Sequence, residues 1–404
     1  MKKYWKFTAI VAVIVLGIGT FYVNSAMSAK QYPEFIIKKQ SGNAEEIKSL
    51  VLEGNYHEGG PMVNANTKLK ITSDGSEYRS NTSFLDQIKG HPAPMIKELQ
   101  EEYRNFMRGK GIGVDSFFEN KQFVAYAEVE YEIGRLASSD YKFAISVLDK
   151  DKGSTTSFSI KVPDSSEIQH MFVDDVQIVD NKLNLITQNM VREKGRHISG
   201  KHVYTVDLST KRIISHEAIF SIPEQQGESF IDARLIKTNP KQAHKNLVFL
   251  KTENKVVQQA KRLEETTLEL ISYNLETKEK EEVDLPNSLK ESQVSFFDGS
   301  TIYLTSYNEK NLVVTLYNIE KNKVGNEFTV ELSNIKDNME PPIIAVKDGK
   351  LYATTHVTNL KTKASVTVID VETGETLYEG EVIRKDPPEN TDQFELYLFE
   401  MLIK

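Results

Sequence analysis

The feature that most restricts this chain is an aspartate or asparagine that recurs at the end of a short alternating strand and opens a polar turn: Asp149, Asp207, Asn274, Asn318 and Asp370. A short side-chain carbonyl can accept hydrogen bonds from backbone N–H groups two or three residues further on, so Asp and Asn at such a place specify a tight reversal. The clearest copy is Val366-Thr367-Val368-Ile369-Asp370-Val371-Glu372-Thr373-Gly374-Glu375-Thr376-Leu377-Tyr378, two runs of period two around a Gly-containing turn, which reads as a hairpin. Another turn and strand precede it, Asp348-Gly349-Lys350-Leu351-Tyr352-Ala353-Thr354. Looser versions of that leading element stand at Asp298–Thr305, Asp180–Thr187, Leu247–Lys251 and Asn120–Tyr126, each upstream of one of the other hairpins.

A unit of about four strands repeating every ~45 to 65 residues is the signature of a β-propeller blade. The segment Ile369–Tyr378 resembles the repeat of quinoprotein-type propellers, in which a Trp usually stands at the place of Tyr378. That resemblance covers roughly residues 115 to 385, closely in one copy and loosely in four. It implies an all-β ring and does not imply the quinone cofactor. The expected fold is therefore all-β, a propeller of six or seven blades with one inserted amphipathic helix. A pair of β-sandwiches is the alternative, since it also gives short strands with evenly spaced turns.

Residues 31–113 fit the repeat less well than residues 114–404. Ile36-Ile37 and Leu69-Lys70-Ile71-Thr72, with the turn Ser73-Asp74-Gly75, read as strands that could pair with C-terminal strands and remove two exposed edges. Pro94 then opens a helix with Met95, Ile96, Leu99, Tyr103, Phe106 and Met107 on one face and Gly109 at its end. Such a face is expected to pack on its own domain. The apolar run Phe394–Ile403 reads as a final strand that staples the last blade.

The first thirty residues set the expected compartment. Phe7 to Val23 are almost wholly apolar, behind Lys2, Lys3 and Lys6, and no acid occurs before Glu34. This is long for a signal-peptide core and at the short end of a membrane span. The basic flank would hold the N-terminus in the cytoplasm and place residues 31–404 outside the cell membrane. Two fates remain open: a single-pass anchor over residues 1–30, or a signal peptide cleaved near Ala26-Met27-Ser28, which would give a secreted protein. The chain has no cysteine, so disulfides, thiol nucleophiles and lipid attachment at a lipobox are excluded. Its net charge is −8, and the residues beyond the basic leader are more acidic still, so nucleic acid is not an expected partner.

Motifs for chemistry are sparse. Gly109-Lys110-Gly111-Ile112-Gly113 follows a helix, whereas a phosphate-binding glycine run must follow a strand and open a helix, so it reads as a helix stop and turn. No serine-hydrolase, zincin or penicillin-binding signature occurs. His197 and His202 read as flanking a Gly-containing turn at a solvated hairpin tip among Arg192, Lys194, Arg196 and Lys201. Asp149-Lys150-Asp151-Lys152-Gly153-Ser154 imitates half a calcium loop, but Ile160 stands where the bidentate glutamate belongs, and a hairpin turn is expected instead. Asp174-Asp175 are adjacent carboxylates that could act in acid–base work, although neighbouring strand residues point to opposite faces. Asp232, Arg234, Glu340 and His356 are further polar residues at blade entries. No catalytic, cofactor or metal residue is assigned from these patterns.

The reading that follows is a membrane-tethered, extracytoplasmic binding or accessory module of an envelope system, with a protein partner in or at the membrane and no cofactor. An exported glycosidase or lyase on a propeller, and a purely structural scaffold, are the alternatives.

Overall fold

In the computed structural model the described residues are 10–20, 32–58, 65–79, 92–133, 139–193, 196–223, 229–236, 238–257, 262–290, 292–308, 311–331, 342–386 and 394–403. They divide into two compact units. One comprises residues 1–94, 307–313 and 328–404, the other residues 95–306 and 314–327.

The strands, in chain order, are β1 (Phe35–Gly42), β2 (Leu50–Glu58), β3 (Ala65–Thr72) and β4 (Gly75–Tyr78). A first four-stranded meander follows, β5 (Phe117–Glu119), β6 (Phe123–Ile133), β7 (Ser139–Asp149) and β8 (Ser154–Lys161). The second is β9 (Ile168–Val179), β10 (Lys182–Glu193), β11 (Arg196–Asp207) and β12 (Arg212–Pro223). The third is β13 (Ser229–Leu235), β14 (Asn246–Val257), β15 (Arg262–Asn274) and β16 (Lys280–Glu282), and the fourth β17 (Gln293–Phe297), β18 (Thr301–Asn308), β19 (Asn311–Asn318) and β20 (Lys323–Glu331). The chain ends with β21 (Ile343–Lys347), β22 (Lys350–Thr354), β23 (Val357–Asn359), β24 (Ala364–Asp370), β25 (Thr376–Arg384) and β26 (Phe394–Ile403). Among the described residues they form six sheets: the four meanders and two five-stranded sheets, ordered β1-β25-β24-β22-β21 and β23-β26-β2-β3-β4. This is the blade repeat of the propeller class, at the lower of the two counts expected.

The recurring Asp/Asn does the same work in every copy. The Oδ1 atoms of Asp149, Asp207, Asn274, Asn318 and Asp370 accept from the backbone N–H groups of Lys152, Thr210, Thr277, Lys321 and Thr373 at 2.7–3.0 Å. Four residues after each of them the backbone enters the left-handed region, at Gly153, Lys211, Lys278, Asn322 and Gly374. The sequence repeat is thus a repeated turn conformation, with glycine in two copies and a tolerated longer residue in three.

Residues 36–37 pair with a C-terminal strand as expected, whereas residues 69–72 pair with β2 and β4, and β2 takes the second C-terminal partner. β1 pairs antiparallel with β25, Phe35 facing Arg384, and β2 pairs with β26, Leu50 facing Ile403. Phe35, Leu50, Leu52, Tyr56, Leu396 and Leu398 fill one core with Val366, Val368 and Tyr378. In the other unit Phe143, Ile145, Val176, Leu183, Leu185 and Tyr204 form a second core. The apolar C-terminal run is the staple strand expected of it.

The helical segment departs from its sequence reading in one respect. It is two helices, α1 (Pro94–Glu102) and α2 (Arg104–Met107), broken at Tyr103, whose φ of −119° and ψ of 51° interrupt the helical backbone. Met95, Ile96, Leu99, Phe106 and Met107 are buried, so the apolar stripe is covered by protein. Gly109, with φ 77°, ends the segment. At the N-terminus residues 10–20 are helical, and the remainder of the apolar stretch lies outside the described residues. No helix among the described residues is long and apolar enough to cross a membrane.

Candidate ligand-binding site

A pocket of about 370 Å³ opens on one face of the first meander. Its floor follows from strand register. Tyr126 and Glu128 of β6 face Ser146 and Ala144 of β7, which in turn face Ser157 and Ser159 of β8. Side chains alternate across a strand, so these six share a face while Ala125, Ala127, Phe143, Ile145 and Val147 take the opposite face into the core. The floor is flat and hydroxylated because its side chains are small, and Ser146 and Ser157 hydroxyls lie 2.9 Å apart.

Arg108, Gly109 and Lys110 form the wall. Three contacts fix them. The Gly111 N–H donates to the Tyr126 hydroxyl at 3.0 Å, the Lys110 ammonium donates to the Phe106 carbonyl, and that ammonium lies 4.3 Å from the centre of the Phe106 ring. Burial pulls the Lys110 pKa down, opposed by the Glu128 carboxylate. Burial pushes Tyr126 up to about 12, and Glu128 adds to this while the Gly111 N–H works against it, so Tyr126 stays protonated at neutral pH. Hydroxyl donors and acceptors with two cations against one carboxylate suit a polar or anionic group of a ligand.

The adjacent acids behave differently from each other. Asp175 is 4% exposed; its Oδ2 accepts from Gln177 Nε2 and from the Thr238 hydroxyl, each at 3.0 Å. Burial raises its pKa to about 7 in spite of these bonds. Gln177 Oε1 accepts the His244 backbone N–H at 3.0 Å, and His244 Nε2 accepts the Asn239 N–H at 3.1 Å. Gly299 closes this network: with φ 105° and a Cβ that would stand 2.7 Å from His244 Nδ1, the position admits no side chain. Asp174 instead pairs with the Lys201 ammonium. The two carboxylates thus serve separate structural partners and do not face one cleft.

The other residues singled out in the sequence do not converge either. Asp232 and Arg234 lie exposed on β13. His356, in the other unit, bonds the Leu398 carbonyl oxygen through Nδ1 at 2.8 Å and stacks on Tyr397. Glu340 lies outside the described residues. Asp149–Ser154 is the hairpin turn expected, and no group of three or more metal-binding side chains occurs among the described residues.

The hairpin-tip reading of His197 and His202 is corrected. Both lie in β11, and the reversal falls earlier, between Glu193 and Arg196, because Gly200 is a strand residue facing Asn189 and Ser221. His202 is half-buried beside β12, where its Nδ1 lies 3.0 Å from His216 Nε2. The His216 ring stacks at 4.0 Å on Tyr204. Burial, helped by His216, lowers His202 to about 4.

Sequence reasoning missed the pocket. Its only linear signal is the alternation Tyr126/Glu128, Ala144/Ser146 and Ser157/Ser159, which names one face once the Asp149 hairpin fixes the register.

No family model matches the chain, and no curated protein matches it. Among solved structures it is similar to TolB from Acinetobacter baumannii, at 11% identity over 85% of this chain and 65% of that one, with a TM-score of 0.30. A mutant Synechocystis apocarotenoid oxygenase aligns at 9% identity over 89% and 95%, TM-score 0.41, and polysaccharide lyase Uly1 at 10% over 70% and 57%, TM-score 0.34. The chain thus spans just under two thirds of TolB's length. At these scores the class of this protein rests on its own sheets, which make it an all-β chain of propeller blades.

Proposed function

We propose that this protein is a membrane-tethered, extracytoplasmic binding or accessory module that engages a protein at the membrane. The observation that carries the reading is the helix of residues 10–20. Ile10, Val11, Val13, Ile14, Val15, Leu16 and Ile18 are 42–69% exposed, on every side of the helix, behind the basic residues Lys2, Lys3 and Lys6. An all-round apolar helix without protein packing is at home in lipid, and a basic flank keeps its N-terminus cytoplasmic. The body it tethers carries a polar pocket and five capped hairpins.

The test uses the full chain in its native membrane. Carbonate washing leaves the protein in the pellet, protease added to intact spheroplasts digests residues 31–404, and crosslinking recovers a stoichiometric membrane partner. Extraction by carbonate, or protection until the cells are lysed, would overturn the tether; absence of any partner at every crosslinker length would overturn the accessory role.

A further inference from the structure

The last strand of a blade is an open row of N–H and C=O groups, and folded proteins protect such edges by shortness, charge, bulges or cover. Each of the other sheets here uses one of these devices. β25 is covered by β1. β12 is broken by two register shifts against β11. β16 is three residues long, Lys280-Glu281-Glu282, all charged. β20 contains Gly325 with Lys323, Glu327 and Glu331. β4 and β23 are four and three residues long.

β8 is the least guarded. Its one charged residue is the terminal Lys161, which pairs with Asp140, while Ser154-Thr155-Thr156-Ser157-Phe158-Ser159-Ile160 is uncharged, free of Gly and Pro, and pairs with β7 without a register shift. Ser154 to Ser157 are exposed, and no strand among the described residues pairs with its outer side. A flat, β-prone edge with a charge only at its end is a template for another strand.

We infer that β8 is a docking edge for an extended segment of a partner polypeptide, which adds to the first meander as a fifth strand. Two observations choose this occupant. First, the chain already shows strand addition at the matching place, where β1 lies antiparallel along β25, the last strand of its own meander. Second, the pocket beside β8 sets Arg108 and Lys110 against the single carboxylate of Glu128, with Ser157 and Ser159 on the strand itself. Side chains of an added strand that point to this face approach a pocket whose lining holds two cations and one carboxylate, so the segment is expected to carry an acidic residue there. The inference rests on the part of the preceding reading in which the body binds a protein; it is independent of the tether.

The experiment is panning of a phage-displayed library of random dodecapeptides on the full chain in detergent micelles. The expected winners are β-prone peptides with an Asp or Glu, which slow amide exchange across residues 154–160. N-methylating alternate amides of a winner should weaken binding at least tenfold in one alternation and leave the other unchanged, a result that needs no change to the protein. Thr156→Pro should abolish binding, and if that variant misfolds, Ser157→Lys serves the same end. Arg108→Glu should move the selected peptides from acidic to basic. No enrichment, protection mapped elsewhere, equal loss in both N-methyl alternations, or concentration-dependent protection of β8 by a second copy of this chain would each overturn the proposal. Because the library contains no membrane, these outcomes are separate from failure of the carbonate and protease tests, which would remove the tether alone.

Discussion

Replacing Asp175 by Asn should make the stability of this protein respond to pH in a calculable way. The carboxyl titrates near 3.8 in an exposed chain and about 7 in the fold, because burial disfavours its charged form more than Gln177, Thr238 and the Val176 N–H favour it. Between those values the unfolded chain has released a proton that the folded chain still holds. The contribution of this group to stability therefore falls as pH rises from about 4 to 7, by about 1.4 kcal/mol per unit at mid-window and about 4 kcal/mol in all, and is flat above, so the quantity to read is the difference between variant and parent. Asn cannot titrate. It keeps one acceptor for the Gln177 and Thr238 donors, and any imperfection there, of about 1 kcal/mol, shifts its curve without tilting it. Urea unfolding of the full chain in micelles, followed by far-UV circular dichroism from pH 4 to 8, should show the variant gaining about 4 kcal/mol on the parent across the window. Parallel curves would refute the argument that burial holds this proton.

The Asp174–Lys201 pair should obey the rule for buried ions: Lys201→Ala should lose about 3 kcal/mol in urea melts, while Asp174→Leu with Lys201→Met should stay within about 1 kcal/mol of the parent. His202, held near 4, should protonate first in the unfolded chain, so its own contribution to stability should drop as pH falls from 6.5 to 4, by up to about 3 kcal/mol. His202→Gln should remove that contribution, seen in the same urea titration as a variant that gains on the parent as pH falls. Gly374→Ala should lower stability by about 1–2 kcal/mol, since φ is 74° and the new Cβ would lie 3.2 Å from Phe328 Cβ; an unchanged melting curve would show that this turn relaxes freely.

Much of the fold was legible because its determinants are local. Asp370 and its four counterparts announce a turn by their own side-chain chemistry, and alternation on either side names the strands. The pairing of residues 36–37 with a C-terminal strand followed from the need to bury edges, but residues 69–72 pair with β2 and β4, and the second contact with the C-terminal region is made by β2, which the sequence did not single out. What stayed hidden depends on partners distant in sequence. Asp175 looks like any strand acid until Thr238 and the His244 loop enclose it. His202 looked like a tip residue because Gly200 resembles a turn glycine; only its register against β12 brings it to His216. Arg108 and Lys110 meet Ser157 through a helix break at Tyr103 that periodicity does not reveal. The pocket is a product of tertiary placement, as binding sites in repeat folds are.

The pairing of Leu50 with Ile403 has a temporal consequence. A ribosome delivers β1 and β2 before the four meanders and their partners β25 and β26 after them, so the earlier strands wait with an unsatisfied edge each while the meanders are made. Residues 95–306 are contiguous and can condense meanwhile. Loss of β26 would turn β2 from an interior strand into an open edge of β2-β3-β4, so a quality-control protease should recognise a chain truncated before β26 by its early strands rather than by its cut end.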